Sequence, residues 1–274
     1  MAVYFAYTCV LALVLPIPGP VARNTIEINL VVVAAYGLLV YADSRRHSLT
    51  LSVTRDWYPL ALMILAYREM GWFRPAHHQP RLENIWIVWD RAVLDQGGLH
   101  GAVELLGPVL PAVLEIAYAL VYTLAPFAVA MLYVYGRRSR TGNFLFIFVL
   151  GVLLCYVQFP LWPSEPPRTV FPGLDFPSYT TVFRRFNWWL LAGYGIHTSV
   201  FPSAHVAGAF SAAFGMRRYL PEKRWVGRFL MVLAVLIALA TVYGRYHYCA
   251  DALAGLAMSL VAVWITARAS RVPS

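Results

Sequence analysis

Residues 226–267, VGRFLMVLAVLIALATVYGRYHYCADALAGLAMSLVAVWITA, set two long apolar runs on either side of a polar island, GRYHYCAD at 244–251. As helices, the runs 226–243 and 247–267 are each long enough to cross an apolar layer about 30 Å thick. Between them stand Arg245, His247 and Asp251. Charges at that position are tolerable where they line a water-accessible pocket, so the island marks a site as well as a turn.

The rest of the chain extends this reading. Its 274 residues are 60% hydrophobic, 15% aromatic and only 13% charged, with a mean hydropathy of +0.61. That lies outside the range of soluble domains and predicts an all-α integral membrane protein. Further apolar runs fall at about 2–19, 26–42, 57–73, 109–135, 143–162 and 202–219, giving a polytopic helical bundle of about eight spans. The third is the weakest, because Arg68 and Glu69 lie inside it. No strand-like alternation competes. Cys9, Cys155 and Cys249 are scattered, which indicates neither a disulfide framework nor a zinc knuckle. The N-terminal run lacks a basic leader and a clear cleavage site, and reads as a first membrane helix.

The net charge of +9 is assigned to membrane topology, not to nucleic acid. With the N-terminus inside, loops 43–56, 136–142 and 217–228 and the tail are cytoplasmic and hold thirteen Lys/Arg, against eight on the other side. Both termini are then cytoplasmic. The outer side is not strongly depleted, so either the topology is inverted or the outer arginines have work there. Two outer segments are not simple spans. Residues 74–101 suggest an interfacial amphipathic helix through Ile85, Trp86, Trp89, Val93 and Leu94, and the stretch FRRFNWWLLAGYG within 163–200 also reads as interfacial. The expected organisation is an N-terminal part, 1–108, and a catalytic core, 109–268.

Three polar islands interrupt the C-terminal half: WPSEPPR at 162–168, FPSAH at 201–205 and GRYHYCAD at 244–251. All three fall on one membrane face. His247 and Asp251 are four residues apart on one helix face, where the carboxylate can take a proton from one imidazole nitrogen and leave the other free to attack. His205 follows Pro202 and Ser203 at a helix opening, where backbone N–H groups favour an anion. Arg168 and Arg245 add permanent cations suited to phosphate oxygens. An anion cradle with two histidines, one backed by Asp, is what phosphoryl transfer through a phosphohistidine needs, without a metal.

Arg184 and Arg185, beside Trp188 and Trp189, read equally as a clamp for an anionic head group and as ordinary interfacial anchors. Glu115, Tyr118 and Tyr122 share a helical face that can line a polar pocket. His77, His78 and His197 have no carboxylate or Cys at ligand spacing and read as solvated loop residues. A lipid transporter or scramblase is the alternative of a different class; against it, the polar residues cluster at one face and not at the midplane.

FPSAH at 201–205 and His247-x-x-x-Asp251 followed by Ala254-Gly255 resemble the second and third signature motifs of the type 2 phosphatidic acid phosphatase superfamily. The resemblance covers roughly 109–268 and implies a six-helix membrane core acting on a phospholipid or polyprenyl phosphate, with no cofactor. It implies His247 as nucleophile, Asp251 as its orienting partner, His205 as general acid, and Ser203 and Arg168 as phosphate ligands. The chain departs from the pattern at Leu161, where a Lys is usual, at Thr169, where a Pro is usual, and at Thr241, where an Arg is usual. With the PPR ending of the first island and the YHY around His247, these departures resemble the inositol phosphorylceramide synthase branch. That branch implies head-group transfer to the alcohol of a second lipid, with Arg245 replacing the missing Arg; the alternative is a plain lipid phosphate phosphatase.

Overall fold

The computed structural model describes residues 1–46, 48–73, 79–196 and 200–269, and over them the chain is helical with no strand. His77, His78 and His197 lie outside the described residues. The chain divides into two compact units, Met1–Pro75 and Ala76–Ser274.

The first unit contains α1 (Ala2–Val14), α2 (Gly19–Arg46) and α3 (Leu49–Met70). Its interior is partly polar. Asn29 Nδ2 donates to Thr8 Oγ1 at 2.7 Å, and the Tyr4 hydroxyl donates to Ala66 O at 2.9 Å. Glu69 is fully buried beside Thr8 and Asn29. Arg55 bridges Asp43 and Asp56, at 2.7 and 2.9 Å, near the α2–α3 turn.

The second unit begins with α4 (Arg81–Arg91) and α5 (Leu99–Glu104), then α6 (Val109–Leu120) and α7 (Leu124–Val134), which a single 3-10 turn joins into one rod. There follow α8 (Thr141–Tyr156), the short α9 (Pro167–Val170), α10 (Val182–Tyr194), α11 (Ala204–Tyr219), α12 (Arg224–Tyr243) and α13 (Cys249–Ala269). Among the described residues, five helices are long and apolar enough to cross a membrane: Gly19–Arg46, Val109–Val134, Arg138–Tyr156, Pro221–Tyr243 and Cys249–Ala269. Of the other expected spans, α1 has 13 residues, α3 carries four charges and α11 has 16 residues.

Helix α11 lies at the centre, packed against α8, α12 and α13. Its sequence, AHVAGAFSAAFGMRRY, explains the position, because small side chains let neighbouring backbones approach without a hydrophobic driving force in lipid. Gly255 of α13 packs tightly on its N-cap: a Cβ there would collide with the carbonyl oxygen of Ser203. Helix α12 spans about 30 Å at 1.5 Å per residue, and its two ends differ in kind. At one end Arg137 and Arg140 share Glu222, at 2.8 and 3.0 Å. The other end carries all three polar islands.

Helix α4 corrects one expectation. Trp86 and Leu94 are buried, but they share the inward face with Ile87, Glu83 and Asp90, while Ile85, Val88, Trp89 and Val93 point outward. The five residues expected on one apolar face are thus divided between two, because the outward face of a membrane protein meets lipid and the inward face can hold polar groups.

Candidate active site

Backbone and side-chain hydrogen bonds stitch the three islands together. The Val200 N–H donates to Ser164 Oγ at 3.3 Å, linking the first island to the segment before the second. The Arg168 N–H donates to Arg245 O at 3.3 Å, and the Ser203 N–H to Asp251 O at 2.9 Å. A site inferred from separate stretches of sequence is therefore one structure.

The end of α12 shapes the third island. The N–H groups of Tyr246 and His247 both donate to Thr241 O, at 3.0 and 2.9 Å, and the Arg245 N–H donates to Val242 O at 3.1 Å. These bonds form a Schellman closure with Arg245 in the left-handed position, at φ 62°, where glycine is the usual occupant. The chain then enters α13, where Asp251 stands in the first turn and its Oδ2 accepts from the Tyr248 N–H at 2.9 Å. A carboxylate there satisfies an otherwise unpaired amide and suits the positive end of the helix dipole. The same Oδ2 lies 3.3 Å from His247 Nδ1. Asp251 thus caps its helix and holds the imidazole with one oxygen.

On its far side, His247 Nε2 lies 3.3 Å from His205 Nδ1. With Nδ1–H directed at Asp251, Nε2 carries the lone pair. His247 is 5% exposed. Its pKa is lowered well below the usual histidine value, by burial first and then by the neighbouring His205 and Arg168, so the ring is held neutral. His205 follows the N-cap Ser203, whose Oγ accepts from the Val206 N–H at 3.4 Å. Tyr118 stacks on the His205 ring at 5.3 Å, and Tyr122 meets it edge-on at 5.9 Å. The stripe Glu115, Tyr118 and Tyr122 therefore faces the site.

The arginines divide. Arg168 is partly exposed, donates Nη1 to Tyr246 O at 3.4 Å and lies close enough to both histidines to depress His247. Among the described residues it is ion-paired with no carboxylate. Arg184, read equally as a head-group clamp and as an interfacial anchor, is instead buried, with Nη1 on Glu115 Oε1 at 2.9 Å and Nη2 on Gly244 O at 3.2 Å. Glu115 Oε2 also accepts from the Tyr246 hydroxyl at 2.6 Å and Asn187 Nδ2 at 2.7 Å. Arg245, expected as a substitute phosphate ligand, is fully buried with Nη1 on Asp90 Oδ2 at 2.6 Å. Arg185 is exposed on α10. Sequence reasoning assigned no role to Asp90 or Glu83, which lie far from the islands in sequence and on a helix read as an interfacial anchor.

Fold and site together define an integral membrane protein with a paired-histidine centre at one end of a helical bundle. The chain belongs to the PAP2 superfamily, whose family model matches residues 91–265 and whose members are lipid phosphatases and phosphotransferases. A PA-phosphatase related-family protein of Dictyostelium discoideum is 40% identical over 60 residues, which is 22% of this chain and 10% of that protein. The chain thus matches about a tenth of the length of that relative. No solved structure matches the chain.

Proposed function

We propose that the chain is a metal-independent lipid phosphotransferase that works through a phosphohistidine on His247. The observation that carries this reading is the meeting of His247, backed by Asp251, with His205 and with Arg168, which among the described residues is ion-paired with no carboxylate. His247 Nε2 attacks phosphorus, the bond from phosphorus to the leaving oxygen breaks, and His205, which takes up a proton as the anionic donor binds beside it, gives that oxygen the proton. In the second step an acceptor hydroxyl attacks phosphorus, gives its proton to His205, and the P–N bond breaks. Arg168 balances charge on the phosphoryl oxygens throughout. Ser203, which caps α11, fixes His205 at the helix opening, and the exposed Arg185 reaches the donor's head group.

The acceptor is a lipid alcohol. The wall beside His205 is built from Tyr118 and Tyr122, and Tyr122 is 52% exposed, so an apolar molecule can reach the site from the bilayer. Incubating purified protein with labelled phospholipids, with and without ceramide, diacylglycerol or polyprenol, tests this by mass spectrometry of the products. A new phosphorylated lipid in the presence of one acceptor is expected. Free phosphate or free phosphorylated head group as the only product would leave a plain phosphatase, and no product at all from folded protein would favour a transporter.

The site faces away from the cytoplasm, because the basic loops 136–142 and 217–228 gather at the opposite end of α12. In a cysteine-free background, Thr169→Cys is expected to react with an impermeant reagent and Arg224→Cys to stay protected. The reverse pattern inverts the topology.

A further inference from the structure

The matched family segment begins at residue 91, yet two buried carboxylates that hold the polar islands, Asp90 and Glu83, precede it. Asp90 Oδ2 takes Arg245 Nη1 at 2.6 Å, and Asp90 Oδ1 accepts from the Cys249 N–H at 2.7 Å. One buried carboxylate therefore grips the third island on both sides of His247. Two turns earlier on the same face of α4, Glu83 Oε1 accepts from the Glu165 N–H at 2.9 Å, in the island that carries Arg168. Both carboxylates are fully buried. The opposite face of α4 exposes Ile85, Val88 and Trp89.

The choice of Arg at position 245 strengthens the point. The left-handed C′ position of a Schellman turn suits glycine, and a side chain there costs about 1 kcal/mol. An arginine stands in it fully buried, and its Nε and Nη2 have no hydrogen-bond partner. The backbone alone gives no reason for arginine. The ion pair with Asp90 does: it anchors the turn to α4 at the residue two before His247.

We propose that α4 is a clamp on the catalytic turn, with Asp90 and Arg245 as positioning residues that set His247 against His205, and with Glu83 holding the Arg168 island to the same helix. This rests on His247 as the nucleophile. Positioning at this precision governs rate more than binding, since a displacement of about 1 Å in a reacting group can cost on the order of 10²-fold. The clamp thus affects kcat and leaves KM nearly alone.

Two variants test it. Arg245→Gly keeps a turn that glycine favours and removes the guanidinium; the double variant Asp90→Asn with Arg245→Gly also removes the buried charge that the single variant strands. In the double variant, kcat is expected to fall by about 10²-fold with KM within about threefold, while the melting temperature stays within a few degrees of wild type. The second readout needs no turnover. Diethyl pyrocarbonate, followed by mass spectrometry of the His247 peptide, should modify His247 at least about tenfold faster once the turn is released, because its present protection comes from burial. If the folded double variant turns over within threefold of wild type, or if His247 is no more reactive in it, the clamp is overturned. A wild-type protein inactive toward every lipid donor refutes the proposed function alone, and the His247 reactivity ratio still decides the clamp.

Discussion

Glu115→Ala is the perturbation whose size the structure fixes best. The Glu115 side chain is 3% exposed and that of its partner Arg184 is 1% exposed, so removing the carboxylate strands a guanidinium where water does not reach it. Breaking one side of a buried pair costs about 3–5 kcal/mol. The Tyr246 hydroxyl and Asn187 Nδ2 lose acceptors at 2.6 and 2.7 Å, which moves the expected value toward the upper end, because an unsatisfied buried donor costs about 1–3 kcal/mol. Against a total stability of about 5–15 kcal/mol, that loss is large. Replacing both partners, as Glu115→Leu with Arg184→Met, should do less harm than Glu115→Ala alone, by about 2 kcal/mol, since no charge is left unpaired. Equilibrium unfolding in mixed micelles measures all three proteins. A Glu115→Ala protein within about 1 kcal/mol of wild type, or a double variant at least as damaged as Glu115→Ala, would refute the reasoning.

Asp251→Asn should lower kcat by about 10³–10⁴, because an amide can donate to His247 Nδ1 and so move the proton onto the attacking nitrogen; steady-state kinetics and a check of folding suffice. Arg168→Gln should cost about 10²–10³ in kcat, and Arg168→Lys should recover part of it, since charge returns without the planar fork. The depressed His247 pKa sets a pH dependence: above about 6.5 the ring is neutral folded or unfolded, and as pH falls below that value the unfolded chain takes a proton that the native state refuses. The melting temperature of wild type should therefore fall between about pH 6.5 and pH 5 more steeply than that of His247→Gln, and equal slopes would contradict the burial argument. Phosphatidic acid, a monoester, should be a poorer donor than a phosphodiester lipid by about tenfold in kcat/KM. Parallel assays of the two lipids in one detergent decide this, and a preference for the monoester would reverse the assignment.

The membrane helices were legible because hydropathy reports burial in lipid directly: the run expected at 226–243 is α12 at Arg224–Tyr243, and the run at 247–267 is α13 at Cys249–Ala269. The His247–Asp251 pair was legible from its spacing, but not for the reason expected: His247 stands in the turn before α13, and Asp251 meets it by capping that helix. The fates of the arginines were not. Arg184 and Arg245 find carboxylates 69 and 155 residues away, and no local pattern distinguishes them from Arg168. The sense of α4 was hidden for a related reason. Periodicity gives the direction of its amphipathic axis, but only the position of Arg245 and of the Cys249 amide shows that the polar face is the one turned inward.

Once those partners are known, the charge at the site can be counted in physical terms. Glu115 neutralises Arg184 and Asp90 neutralises Arg245, so neither cation is left over for a substrate. Burial keeps His247 uncharged. Among the described residues, Arg168 is then the permanent cation that faces the histidines, and Leu161 and Thr241 occupy positions where the superfamily pattern has a Lys and an Arg. A phosphomonoester carries about −1.5 to −2 at neutral pH, and placing it beside Asp251 with one arginine leaves negative charge unbalanced in a partly buried site. A phosphodiester carries a single negative charge and matches the one arginine that, among the described residues, faces the histidines, with Arg185 left for the head group. The chemistry that follows from a diester donor is the one proposed: His247 takes the phosphorylated head group from one lipid, the diradyl or equivalent alcohol leaves with the proton of His205, and a second hydroxyl, admitted past Tyr118 and Tyr122, receives the group.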